Sequence, residues 1–479
     1  MSALLIREDI MKKISKPTEG LIRNCSREDM HNEGFIKDSC RKDLHNEMLA
    51  ALDRVAEEHI QLPAFNYFAD VIRSRYERMC GAMEKPSVVV AGTGIPDELM
   101  RAAGAAPFYI LGGSRAACAC SDDRMPRDAD PESRSVLGYL YQMEEEDPSG
   151  QLILIPLYSD SMRKIAYQLT LAGRKVITVD MPPVQGNSAA LEKWKEQVMQ
   201  AAVAVAEHVH SRITAASLKR AVREAVEARS EMQVFLRTVT CEEGVFSSMA
   251  RILVQNSYYY ADDLAEWTGA LGRLRNEIWQ TIGRKSDGYR DTARILLMGS
   301  PVYFPNDKLP SLFSDAHLKV VRNMDPSTEV FEIIPRIARA GNSAVRILAA
   351  VAEEWYRHDV SGAYIRNENL RQKILGLLET GEMEGVVYHI LKGQIGPDFE
   401  LSWFEDLFER ADIPVFRLET DYQYQDVEQL RIRMEAFSEM LMQRRFGRRA
   451  MLGSAILNNP ANCLPTQEEG ISENRRKAV

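Results

Sequence analysis

Between Ser87 and Pro182 the sequence repeats one pattern, a short apolar run, a turn, then an amphipathic helix. SVVVAG leads into PDELMRAAG; APFYILGG leads, after a long loop, into SRSVLGYLYQMEEE; QLILIPLY leads into SMRKIAYQLTLAG; and KVITVDMP closes the series. The apolar runs are of strand length and do not alternate with polar residues, as expected of strands buried on both faces. Strands and helices alternating in this way predict a parallel sheet covered by helices on both sides. After Gly283 the pattern returns, with ARILLMGSPVYF, HLKVVRN, GVVYHIL and IPVFRLETD as strands and a long helix, Val427 to Arg445, behind them. The stretch from about Ala189 to Gly283 reads as helix nearly throughout. From about Asp43 to Met83 the apolar spacing (Leu49, Leu52, Val55, then Phe65, Phe68, Val71, Ile72) is helical too. The expected fold class is α/β, with two doubly wound parallel-sheet units, helical insertions and an N-terminal helical arm. The expected boundaries are 1–84 for a polar segment and helical arm, 85–285 for the first α/β unit with its helical extension, 286–457 for the second unit, and 458–479 for a polar tail expected to be disordered.

The formal net charge of −9 argues against nucleic acid as a main partner, because phosphate binding needs a basic face. The opening MSALLIREDIMKKISK has no apolar core of the secretory kind, and no run of about 18 apolar residues offers a membrane span. Seven cysteines scattered over 479 residues make no disulfide framework. The expectation is a cytoplasmic protein with reduced thiols.

Parallel sheets of this type bind ligands at the carboxyl ends of their strands. That points to the loops Ala91–Ile95, Gly113–Ser133 and Ser159–Ser161 in the first unit, and to Gly299–Pro305, Lys392–Pro397 and Thr420–Tyr424 in the second. Gly92-Thr93-Gly94 has Asp97 where a dinucleotide loop would carry its third glycine, so NAD or FAD is not supported. No P-loop and no G-x-S-x-G elbow is present. Cys118-Ala-Cys120 in the long loop is one Cys pair, too few donors for a four-coordinate metal site. Cys25 to Glu33 is echoed by Cys40 to Glu47, each copy ending His-Asn-Glu, but neither carries CxxC; a duplicated helical arm is the simpler reading. His208 and His210 diverge on a helix, and His389 reads as a satisfied core residue. Arg444, Arg445, Arg448 and Arg449 suit a helix C-terminus, with a phosphate-bearing CoA tail as the alternative. Asp97 and Glu98 are expected to serve the helix N-terminus that follows Pro96.

The flanks of these loops carry a family resemblance. Pro96-Asp-Glu98-Leu99-Met-Arg-Ala102-Ala103-Gly104-Ala-Ala-Pro107, Arg134-Ser135-Val-Leu-Gly138, Ser159-Asp160-Ser-Met-Arg163-Lys164, Gly385-Val-Val and Ile413-Pro-Val-Phe-Arg-Leu-Glu-Thr-Asp421-Tyr422 occur in order over roughly residues 45 to 445, as does Gln429-Leu-Arg-Ile-Arg433-Met-Glu435-Ala-Phe. In this the chain resembles the 2-hydroxyacyl-CoA dehydratase and benzoyl-CoA reductase family. The resemblance implies a [4Fe-4S] cluster held by loop cysteines, an ATP-dependent activator protein that delivers a low-potential electron, and radical dehydration of an acyl-CoA thioester.

The residues at the implied cluster positions break the pattern. Gly92 stands where the first cysteine would precede the Pro-x-Glu helix, Asp130 before Arg134-Ser135, Ser159 after the third strand, and Gly393 after His389-x-x-Lys392. Glycine offers no ligand, and serine and aspartate are hard donors unsuited to iron–sulfur chemistry. Three readings follow. In the first, a cluster-less subunit pairs with a homologous cluster-bearing subunit, which holds the [4Fe-4S], and shapes the acyl-CoA pocket. In the second, Cys118 and Cys120 rescue a cluster. In the third, the scaffold binds an acyl-CoA or another ligand without redox chemistry. The first is favoured and the third is the alternative. A cleft between the units is expected to be lined by Gly92, Thr93, Asp130, Arg134, Ser159 and Asp160, with Arg134 either gripping an anionic ligand or pairing with Asp130 or Asp160. No catalytic residue can be assigned from the sequence.

Overall fold

The computed structural model describes residues 27–79, 88–143, 150–241, 246–282 and 292–457. By its internal contacts the chain divides into Met1–Ser39 and Cys40–Val479. The described part of the first unit is the opening of helix α1 (Arg27–Glu58). Cys25 and the tail from Asn458 fall outside the described residues, as do the side chains of His31, Arg448 and Arg449.

In the second unit α1 continues, and α2 (Phe65–Met79) buries Phe65, Phe68, Ile72 and Tyr76, one stripe of the helix. The first sheet follows. Strands β1 (Val88–Ala91), β2 (Phe108–Ile110), β3 (Leu152–Leu157) and β4 (Lys175–Asp180) pair in parallel in the order β2-β1-β3-β4. The helices among and after them are α3 (Asp97–Ala102), α4 (Arg115–Cys120), α5 (Pro131–Gln142) and α6 (Asp160–Leu171). The central strand β1 is buried at every residue, whereas the edge strand β4 exposes Lys175 and Thr178.

Four helices then run from 188 to 282: α7 (Ser188–His208), α8 (Ala215–Cys241), α9 (Ser248–Tyr260) and α10 (Leu264–Ile282). Trp194 of α7 and Trp267 of α10 are fully buried in the large apolar core. The second sheet consists of β5 (Ala293–Gly299), β6 (Leu318–Met324), β7 (Gly385–Leu391) and β8 (Val415–Thr420), parallel in the order β6-β5-β7-β8. Helices α11 (Lys308–Asp315), α12 (Ala344–His358), α13 (Glu368–Thr380), α14 (Ile395–Arg410) and α15 (Val427–Leu457) accompany it. The two sheets repeat one topology. In each, the chain leaves the first strand toward one neighbour and then crosses to the other side, so the strand order reverses between β1 and β3 and again between β5 and β7. The α/β architecture with two parallel sheets and a helical N-terminal region is as the sequence pattern predicts.

Two local expectations are corrected. The stretch Gly113–Ser133 is not loop throughout, because it contains α4. Ser114 caps that helix by accepting from Ala117 N at 2.9 Å, and Glu47 of α1 accepts from the amides of Arg115 (3.1 Å) and Ala116 (3.2 Å). Three N–H groups that a short helix leaves unmet thus find acceptors. Asp97 and Glu98, in turn, stand in the first turn of α3, where Pro96 holds the cap position without a side-chain bond and Glu98 accepts from its own amide, but their main partner is not the helix N-terminus. Both carboxylates are buried and face Arg229 of α8. Its guanidinium donates to Asp97 Oδ1 (2.6 Å), Glu98 Oε1 (2.7 Å), Tyr258 Oη (3.0 Å) and the Ile333 carbonyl (3.1 Å). Asp97 also receives Arg101 Nε (3.2 Å) and Tyr258 Oη (3.1 Å), and Glu98 receives Trp355 Nε1 (3.1 Å). Buried charge has to be paired to be tolerated, and this cluster pairs it across helices far apart in sequence.

Candidate functional site

The reversal of strand order in each sheet opens a crevice at the carboxyl ends of the strands, where doubly wound folds bind ligands. One cavity of about 310 Å³ lies against both reversals. Thr93 and Gly94 follow β1, and Tyr158 to Ser161 follow β3. Ser300 and Tyr303 follow β5, and Gly393 to Pro397 follow β7. Of the six loops the sequence marks, all but Thr420–Tyr424 contribute lining residues.

Thr93, Asp130, Ser159 and Asp160 line the cavity, and Gly92 and Arg134 do not. Arg134 is drawn away into the long loop, where it pairs with Asp122 and donates to the carbonyls of Arg127 (3.2 Å) and Cys118 (3.5 Å). Its ion-pair partner is therefore neither Asp130 nor Asp160. Asp130 instead caps α5, accepting from Ser133 N at 2.8 Å. Asp160 pairs with Lys164 one turn along α6, at 2.8 Å. Gly92 sits just beneath the cavity wall, with φ +97°, and a Cβ there would lie 3.0 Å from the Tyr158 hydroxyl. Gly393, at φ +86°, touches the other side of the chain so closely that a Cβ would meet Asp128 O at 2.9 Å and Asp130 N at 3.0 Å.

The floor of the site is a hydrogen-bonded chain that joins the two sheets. Tyr158 donates to Glu132 Oε1 (3.0 Å), and Gln394 donates its amide N–H to Glu132 Oε2 (2.8 Å). Ser300 donates to Gln394 Oε1 (2.6 Å), and its Oγ accepts from Leu391 N (2.9 Å). Burial pushes the Glu132 carboxyl up to about 7, with Asp130 adding to the rise and the bonds from Gln394 and Tyr158 working against it. Asp359, also in the wall, accepts from Ser361 N at 3.0 Å and is pushed up to about 6 by burial. His389 lies behind the wall as the expected core residue, with Nδ1 2.8 Å from Ser300 O and Nε2 2.8 Å from Thr420 Oγ1.

Glu132, Tyr158, Gln394 and Asp359 carry the polar character of the cavity, and sequence reasoning did not single them out. The signal for two of them was adjacency. Glu132 is two residues beyond Asp130, and Gln394 directly follows Gly393.

A [4Fe-4S] cluster does not fit this donor set. It calls for about four thiolates, while the four matching positions hold Gly92, Asp130, Ser159 and Gly393. The first and last have no room for a side chain without displacing Tyr158 or the backbone around Asp130. The nearby thiols are turned elsewhere. Cys118 is buried with Leu391 and Tyr422 and donates to Pro131 O at 3.2 Å. Cys120 lies beside Cys40. Burial pushes both thiols far up, so neither is readily available as thiolate. Among the described residues no three His, Cys, Asp or Glu side chains are grouped to hold a metal ion, and no helix is long and apolar enough to cross a membrane.

Two parallel sheets that share a ligand crevice at their switch points define a doubly wound binding or catalytic component. The profile of the family described as 2-hydroxyglutaryl-CoA dehydratase, D-component, matches residues 93–441, and the chain belongs to that family. It is similar to the (R)-phenyllactyl-CoA dehydratase beta subunit of Clostridium sporogenes, 23% identical over 382 residues that cover 79% of this chain and 98% of that protein.

Proposed function

We propose that this chain is the cluster-less subunit of a 2-hydroxyacyl-CoA dehydratase-type complex. In this reading it shapes the acyl-CoA pocket and pairs with a homologous subunit that has kept its thiols and holds the [4Fe-4S] cluster, served by an ATP-dependent activator. One observation carries the reading: of the four positions that the resemblance matches to cluster ligands, Asp130, Ser159 and Gly393 line one cavity and Gly92 lies against its Tyr158, and none of the four carries sulfur. The similarity to a protein named as a beta subunit supports the pairing.

What this chain's own residues supply is placement. The apolar part of the lining, including Met181, Tyr303 and Pro326, shields an acyl group from water. The thioester and 2-hydroxyl would find neutral donors and acceptors in Thr93, Ser159 and Gln394. Glu132 holds or releases a proton near neutrality at Oε1 or Oε2, within a network that otherwise keeps its protons. The redox step belongs to the partner.

The test is anaerobic expression with iron, alone and together with a cluster-bearing homologue, followed by iron and sulfide analysis and an assay of 2-hydroxyacyl-CoA dehydration in the presence of activator and ATP. The expected result is no cluster on the chain alone, and a complex that binds iron and whose activity needs both subunits. About four irons on the isolated chain would overturn the reading. Acyl-CoA binding by a chain that joins no such complex would instead favour a repurposed scaffold that binds its ligand without redox chemistry.

A further inference from the structure

Resting on the acyl-CoA reading above, the charges around the cavity define which acyl groups it takes. No Lys, Arg or His is among the described residues that line it. Its acidic walls are the carboxyls of Asp130, Glu132, Asp359 and, at the rim, Asp160, together with Tyr158 and Tyr303, whose hydroxyls burial keeps protonated. Asp160 is paired with Lys164; Asp359 feels the charge of Lys373, which is itself paired with Glu329; and among the described residues no ion pair is made by Asp130, Glu132 or Asp359. Glu132 is 3% exposed and Asp130 2%, so water does little to screen them. The hydrogen bonds they receive come from neutral donors: Tyr158, Gln394 and the Ser133 amide. Asp359 likewise takes the Ser361 amide. The one anion-seeking side chain the sequence offers here, Arg134, is committed to Asp122 outside the lining.

At about 310 Å³ the cavity is at the small end of ligand pockets. It accommodates an acyl group and the neutral beginning of the pantetheine arm, but not a nucleotide, whose phosphates would also find no cation. A second negative charge at the far end of the acyl group would therefore enter a poorly screened, acid-lined space without a counterion. The same carboxylate loses its hydration on entry and meets like charge within a few ångströms. An uncharged acyl group of the same shape pays neither cost, and the apolar lining favours it.

We infer that this pocket selects uncharged 2-hydroxyacyl thioesters and rejects those whose acyl group ends in a carboxylate, with Glu132 and Asp359 as the residues that set the discrimination. Specificity of this kind comes from a repulsive element built against the wrong ligand.

The test uses two stable thioesters of closely matched shape, 5-methylhexanoyl-CoA, ending in an isopropyl group, and glutaryl-CoA, ending in a carboxylate. Their affinities for the full chain and for its complex with the cluster-bearing homologue are measured by titration calorimetry at pH 8, where Glu132 and Asp359 are mainly ionised. The expected result is that 5-methylhexanoyl-CoA binds at least about tenfold more tightly, a conservative figure for like charges at close range in a partly buried site. Glu132→Gln and Asp359→Asn, tested separately, each narrow the gap by raising glutaryl-CoA affinity; if one fails to fold, the other carries the comparison. Equal affinities, a preference for glutaryl-CoA, or a gap undiminished in the folded variants would overturn the inference and leave the acyl-CoA reading intact. Binding of neither thioester to chain or complex would remove that reading, and the inference with it.

Discussion

Arg229 offers the sharpest test of how the two sheets and the helices between them are held together. Its side chain is fully buried and pairs with two fully buried carboxylates, Asp97 at 2.6 Å and Glu98 at 2.7 Å. Replacing it with Met keeps much of the volume and removes the charge. The two acids then share one remaining cation, Arg101, whose Nε is 3.2 Å from Asp97. Glu98 is left with neutral donors, the Trp355 indole N–H at 3.1 Å and its own backbone amide. Removing one partner of a buried ion pair costs about 3–5 kcal/mol, most of it from the charge left uncompensated. The structure says which charge that is. Arg229→Met combined with Glu98→Gln should regain more stability than Arg229→Met combined with Asp97→Asn, because Asp97 still has Arg101. The sign of the pH dependence follows. Burial already raises the Glu98 carboxyl above its ordinary value, and removal of Arg229, which lowers it, raises it further. A carboxyl with a raised folded value contributes stability that is full below its unfolded value, about 4.3, and is lost as pH climbs through the folded one. The penalty of Arg229→Met should therefore shrink toward pH 5.5 and grow toward pH 8. Guanidinium unfolding followed by tryptophan fluorescence at those two pH values measures both effects, with Trp355 reporting from the cluster itself. A loss under about 1 kcal/mol, far below the range for a broken buried pair, or a penalty that diminishes as pH rises, would refute the argument that Glu98 is held ionised by Arg229.

Three further outcomes are expected. Glu132 titrates near 7 when folded against an ordinary value of 4.5, so charging it costs the wild type about 3 kcal/mol as pH rises from 4.5 to 8; Glu132→Gln should remove that decline, and parallel stability-against-pH curves for the two proteins would contradict it. Glu47→Ala should cost about 1–2 kcal/mol by leaving the Arg115 and Ala116 amides and the Ser114 hydroxyl without their acceptor, read as a lower denaturant midpoint, and an unchanged midpoint would show that α4 is capped without α1. Gly92→Ala should cost about 1–3 kcal/mol from the positive φ alone, and adding Tyr158→Phe should recover only the part owed to the hydroxyl 3.0 Å from the new Cβ; full recovery by the second change would mean the backbone there carries no strain.

The strand and helix order was open to reading because it is written in local periodicity. VVVA, LILIPL and GVVYHIL are unbroken apolar runs, and they are the strands packed at the centres of the two sheets. The loops at the carboxyl ends of the strands could be named from topology alone, before any side chain was placed. What the sequence concealed were pairings between distant elements. Arg229 lies in a long helical stretch where one more arginine looks like surface. Asp97 and Glu98 look like ordinary first-turn acids until the helix that covers them is known. Arg134 was a reasonable anion anchor by residue type, and only the fold of 113–133 shows Asp122 taking it. Glu132 and Gln394 are 262 positions apart, and no local pattern announces that they meet.

The thiol-free positions are better understood together than singly. In the proposed reading, a scaffold without its soft metal donors is left with a hollow lined by backbone and by the second rank of side chains. An empty hollow of that kind forfeits packing, and an apolar filling would strand the polar groups around it. Here the hollow is closed by a tyrosine whose hydroxyl points at a carboxyl, and the carboxyl is joined to the far sheet through an amide and a serine. The effect is to link the ends of β3 and β7, the strands beside the two reversals, by side-chain hydrogen bonds. Such a bridge ties the two sides of the crevice to each other. It also leaves an ionisable group, Glu132, inside the crevice, one that a purely apolar filling would not have supplied and that the proposal above makes the means of telling one acyl group from another.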